Sequence, residues 1–91
     1  MPYQGLDTVT MQNIAKNTKK TQKNEQLGII LKYVRLQNCL TQKQMARLLK
    51  MPYQNYQRYE YGIYKPKPSR LKEFCDLFRI ETSMLVKEFY I

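Results

Sequence analysis

The chain has 91 residues, 43% of them hydrophobic, enough for one small packed domain and too little for two. Its 16 Lys and Arg against 7 Asp and Glu, with no His, give a net charge of +9 and exclude His-based triads, His metal sites and an imidazole base. A pI near 9.7 points to a polyanionic partner, either nucleic acid or an anionic membrane surface.

Residues 1–25 are polar, rich in Gln, Asn, Thr and Lys. Val9, Met11, Ile14 and Ala15 offer only a weak apolar pattern, so a mobile arm is expected that starts to order near Asn24. From Glu25 the pattern turns helical. Leu27, Leu31 and Val34 fall at i, i+4 and i+7 and form one apolar stripe, closed by Asn38 and Cys39. Thr41 followed by Gln44 is a capping box for a second short helix that buries Met45, Ala46, Leu48 and Leu49.

Pro52 suits the first turn of a third helix, which runs through Tyr53–Tyr59 and stops near Gly62. Gly62 to Pro68 is a loop, because two prolines and a glycine forbid a regular helix. Ser69 is the expected cap of a fourth helix carrying Leu71, Phe74, Cys75, Leu77 and Phe78 inward. Thr82 or Ser83 caps a last one with Met84, Leu85 and Phe89. No segment reads as a strand. The expectation is an all-α domain of five short helices over residues 26–91, preceded by the basic arm 1–25.

The charge is concentrated. Residues 41–72 sum to +7 while residues 73–91 sum to −2, as one polyanion-facing side requires. Cys39 and Cys75 lie too far apart for a CxxC pair and have no partners spaced for zinc, so two reduced, partly buried thiols in a cytoplasmic protein are expected. No metal or other cofactor is expected. No apolar run is longer than Ile29-Ile30-Leu31, too short to span a membrane, and the N-terminus lacks the pattern of a signal peptide.

Two short helices joined by a tight turn, the second rich in amides and Arg, suit the DNA major groove, which admits one α-helix. Gln and Asn pair with adenine edges and Arg forks onto guanine. Pro52–Glu60 supplies Gln54, Asn55, Gln57 and Arg58. Tyr56 and Tyr59 would face inward with Met51.

At Leu40-Thr41-Gln42, Met45-Ala46, Tyr59-Glu60, Gly62 and Pro66 the chain resembles the Cro/C1-type, lambda repressor-like helix-turn-helix domain, over about residues 26–88. The resemblance implies base contacts from Tyr53, Gln54, Asn55 and Arg58. It implies phosphate contacts from Gln42, Lys43, Gln57, Tyr64, Lys65 and Lys67, and an internal salt bridge between Arg35 and Glu60. Three positions depart from the family pattern: Lys50 stands where Gly is usual, Pro52 where Ser or Thr caps, and Tyr56 where Ile or Val packs.

The expected function is sequence-specific binding of a double-stranded DNA operator by a homodimer, with repression by occupancy and no enzymatic step. The alternative is an antitoxin or protein-interaction module that holds a protein partner through the arm, with Lys16, Lys19, Lys20 and Lys23 either tracking phosphates or merely solvated. Phe89-Tyr90-Ile91 is either core packing or part of a dimer seam. A membrane-surface role is disfavoured, because the basic residues form no single long amphipathic face.

Overall fold

A computed structural model describes residues 5–17 and 23–91, with the backbone alone at residues 15–17. Among the described residues there are six helices and no strand: α1 (Thr8–Asn17), α2 (Lys23–Gln37), α3 (Gln42–Leu48), α4 (Tyr53–Glu60), α5 (Pro68–Phe78) and α6 (Thr82–Phe89). Helix α2 lies at the centre, against α1, α4 and α6, while α3 packs on α4 and α5 on α6.

The additional helix is α1, within the segment expected to be a mobile arm. Asp7 explains where it starts. Its Oδ1 accepts from the Thr10 N–H at 2.6 Å and its carbonyl from the Met11 N–H at 3.0 Å, an N-cap arrangement. That cap holds the Asp7 carboxyl below its ordinary pKa, chiefly through the Thr10 N–H. Met11 is buried in the core, with Leu6 and Ile14 packed at its edge. Thr8 Oγ1 donates to Met84 Sδ on α6 at 3.3 Å. Val9, counted among the apolar positions of the arm, faces solvent. Lys19 and Lys20 lie outside the described residues, as does the Lys16 side chain.

The stripe on α2 is Leu27, Ile30, Leu31 and Val34, all buried. It meets Met45, Ala46 and Leu49 of the α3 region, Tyr56 of α4, and Leu71, Phe74, Cys75 and Phe78 of α5 in one core cluster. The rings of Phe74 and Phe78 sit 5.2 Å apart and tilted by 51°. Leu48, expected inside, is exposed, as is Cys39, expected partly buried, which lies in the turn that ends α2. Glycine inside α2 has a packing reason: a Cβ on Gly28 would collide with the Glu60 carbonyl oxygen and lie 2.7 Å from that of Tyr59. Helix α2 thus crosses the end of α4 at backbone contact.

Four helices end in the same way. The Leu40, Met51, Ile63 and Ile80 N–H groups reach back to the Arg35, Ala46, Arg58 and Cys75 carbonyls, which closes Schellman-type turns. The left-handed residues at these turns are Cys39 (φ 58°), Lys50 (φ 55°), Gly62 (φ 76°) and Arg79 (φ 58°). Only one of the four is glycine.

Two expected caps are displaced. Lys67, not Ser69, is the N-cap of α5, with Pro68 inside the first turn, where its missing N–H costs nothing. Glu81, not Thr82 or Ser83, is the N-cap of α6; the Ser83 hydroxyl instead donates to the Glu81 carboxylate at 3.2 Å.

Candidate nucleic-acid interface

The pair α3–α4 is built around its turn. At the start of α3, Thr41 accepts from the Gln44 N–H at 3.0 Å, and the Gln44 side chain accepts from the Thr41 N–H at 2.9 Å. At its end, Lys50 takes the left-handed conformation that re-aims the chain toward Pro52. Arg70 of α5 donates to the Leu49 carbonyl at 3.0 Å and satisfies an acceptor the helix end leaves open. Pro52 sits at the N-cap of α4 with extended backbone and no side-chain cap.

Helix α4 is two-sided. Tyr56 and Glu60, one turn apart, are buried, and Tyr59 is half-buried against the core. Gln54, Asn55 and Arg58 are exposed on the other side, within two turns. Tyr53 and Gln57, again one turn apart, lie half-buried on the flank nearest Gln42.

A chain of hydrogen bonds crosses from the core to that flank. Arg35 and Glu60 form a buried two-pronged ion pair: Nε donates to Oε2 and Nη2 to Oε1. The Tyr56 hydroxyl also donates to Oε2, and Gln42 Nε2 donates to Oε1 at 3.0 Å. Glu60 therefore receives four donors on its two oxygens, the full complement a carboxylate accepts. Outward from there, Gln57 Nε2 donates to Gln42 Oε1 at 3.1 Å and to the Tyr53 hydroxyl at 2.8 Å.

Burial pushes the Tyr56 phenol well above its ordinary pKa, and Glu60 adds to the shift. For Arg35, burial works downward, but the hydrogen bond and charge of Glu60 outweigh it and the net shift is upward.

The expected contact residues fall into two clusters and a remainder. In one cluster, Lys43 lies over the Tyr53 ring at 5.4 Å, beside an open groove of about 480 Å³ lined by Leu36, Leu40, Thr41 and Gln42. In the other, Arg58 donates to Asn55 Oδ1 at 3.2 Å and lies over the Tyr64 ring at 5.7 Å. Gln54 and Lys67 are exposed. Lys65 is turned elsewhere: its ammonium donates to the Phe89 carbonyl at 3.1 Å and sits over the Tyr90 ring at 4.5 Å. Lys23 donates to the Glu88 carbonyl at 2.7 Å. Both lysines serve the negative end of α6. Gln57, with both N–H groups engaged inside the protein, has no donor left for a phosphate oxygen.

A family model described as helix-turn-helix matches residues 31–85, more than half of the chain, from the middle of α2 into α6. The chain belongs to the Cro/C1-type helix-turn-helix family. It is a DNA-binding helix-turn-helix regulator. No curated protein and no solved structure matches it significantly. Among the described residues of the regulator, no group of His, Cys, Asp or Glu is placed to hold a metal ion, and no helix is long and apolar enough to cross a membrane.

Two contributors escape sequence reasoning, and a third is legible only in part. Arg70 steadies the turn from a different helix, and nothing in its spacing announces this. Gly28 sits inside α2, and its packing reason exists only once α4 lies against it. Tyr56 faces inward as its spacing predicts, and only the folded chain supplies Glu60 as the partner for its hydroxyl.

Proposed function

We propose that the regulator binds a specific double-stranded DNA operator as a homodimer and represses transcription by occupying it. The observation that carries this reading is the two-sidedness of α4. Gln54, Asn55 and Arg58 are exposed within two turns, while Tyr56 and Glu60 anchor the opposite side. A helix held from behind and lined with amides and a guanidinium in front matches the donor and acceptor pattern of the major groove. Tyr53, Gln54, Asn55 and Arg58 take the base-contacting roles. Lys43, Tyr64, Lys67 and the remaining N–H of Gln42 face phosphates, and Gln57 acts as a positioning residue. Affinity comes mainly from neutralised phosphates and specificity from base edges.

In a homodimer the two α4 helices enter successive major grooves about 34 Å apart, one duplex turn. Selection of bound sites from random duplex DNA tests the whole reading. The expected outcome is an enriched palindrome with half-site centres about 10 base pairs apart. Recovery of unenriched sequence at every salt concentration would reject it.

A further inference from the structure

We infer that the buried Glu60 carboxylate fixes the hydrogen-bond polarity of the flank of α4, so that Tyr53 presents a donor and selects a group that can only accept. The inference rests on the proposed DNA-binding role of this helix and adds what one of its residues recognises.

The argument runs outward from the core. Glu60 is faced by the Arg35 guanidinium and the Tyr56 hydroxyl, so its oxygens only accept. The Gln42 amide must therefore turn its NH₂ toward Glu60 Oε1 and its oxygen toward Gln57. The reverse orientation would set two acceptors against each other. Gln57 must in turn point its NH₂ at Gln42, and the same nitrogen reaches the Tyr53 hydroxyl. That hydroxyl accepts from Gln57, which leaves its own proton to point away from the protein. An amide or hydroxyl in isolation offers either polarity; here a carboxylate several bonds away has removed the choice.

The group Tyr53 takes is thus an acceptor: the N7 or O6 edge of guanine, N7 of adenine, O4 of thymine, or a phosphate oxygen. The exocyclic amine of cytosine, a donor, cannot take this proton.

Glu60→Gln is the direct variant, but it strands Arg35 in the core. Gln57→Glu keeps the shape at a half-buried position and reverses the polarity, since the new carboxylate accepts the Tyr53 proton; its repulsion of the Gln42 oxygen is common to both members of the pair that carries it. Tyr53→Phe is measured in the full chain in both backgrounds on the duplex chosen by selection. In the wild-type background it is expected to weaken binding about ten-fold, and in the Gln57→Glu background to have little effect. The added negative charge weakens both members of the second pair alike and cancels. An equal loss in the two backgrounds overturns the inference while leaving DNA binding intact; failure of the wild type to bind any duplex defeats the functional reading itself.

Duplexes carrying 7-deazapurines or carbonyl-deleted bases at single positions, and others with single methylphosphonates, separate base from backbone acceptors. The substitution whose penalty disappears in Tyr53→Phe marks the partner, and persistence of every penalty counts against the inference. In the free chain, the side-chain N–H groups of Gln57 are expected to exchange slowly with water. Exchange as fast as that of exposed Gln54 overturns the polarity without reference to DNA.

Discussion

The hydroxyl of Tyr56 donates to the carboxylate of Glu60 one turn further along α4, with both groups buried. Its ring packs in the core, while its hydroxyl binds the ion pair that joins α2 to α4. The phenol supplies one of the donors that make burial of Glu60 tolerable, since a buried charge is stable only when its lone pairs are occupied.

Tyr56→Phe keeps the ring and removes that donor. It is expected to lower unfolding free energy by about 1.5–3 kcal/mol, the usual range for a hydrogen bond to a charged group. Denaturant unfolding checks this. A wild-type midpoint in Tyr56→Phe would mean that Arg35 and Gln42 satisfy Glu60 unaided.

Lys50 holds a left-handed conformation in the turn between α3 and α4 at φ 55°. Lys50→Gly removes the steric cost of that conformation, about 1 kcal/mol, offset in part by greater freedom of the unfolded chain. The expected result is a rise in Tm of up to about 4–8 °C for a domain of this size. A lower Tm would show that the turn already accommodates the lysine without strain.

Gly28→Ala is expected to act in the opposite direction. The new methyl group meets backbone oxygens of Tyr59 and Glu60, which no rotamer change relieves. Pushing α2 from α4 costs about 1–3 kcal/mol. The Arg35–Glu60 pair bridges the same two helices, so near-ultraviolet circular dichroism of the tyrosines reports the displacement together with the loss in stability.

Alkaline stability follows from two buried groups, Cys75 and Tyr56, and the half-buried Tyr90. Burial raises the Cys75 thiol from 9.0 to about 11 and the Tyr90 phenol from 10.0 to about 12, and drives Tyr56 upward as well. Each folded pKa lies above its unfolded value. The stabilisation is therefore complete below pH 9.0 and is lost as pH rises through about 11 to 12, because the unfolded chain releases these protons first. Thermal melts from pH 8 to pH 11 are expected to show Tm falling from about pH 9 upward. Cys75→Ala is expected to flatten the earliest part of the fall; an unchanged slope there would remove Cys75 from the account.

On DNA, Arg58→Ala is expected to cost about 1–3 kcal/mol on the selected site and to relax base preference. Equal losses on selected and random duplexes would contradict a base-reading role. Lys67→Ala is expected to weaken binding on all sequences and to reduce the salt slope by about 1. An unaltered slope would take Lys67 out of the phosphate set.

The sequence alone determined the all-helical class, the order from α2 to α6, the capping box at Thr41 and Gln44, and the outward amide-rich side of α4. All of these follow from local periodicity and end chemistry, which are written in adjacent residues. It understated α1, because two or three apolar residues in a polar stretch gain their weight only from the surface they cover; Met11 is core because α2 and α6 leave a place for it. Tertiary structure alone decided which charges work inside. Lys23 and Lys65 close the end of α6, Arg70 closes that of α3, and Gln42 and Gln57 carry the Glu60 charge toward Tyr53. Composition cannot separate a cation facing solvent from one facing a carbonyl, since that depends on helix ends that meet only after the chain has folded.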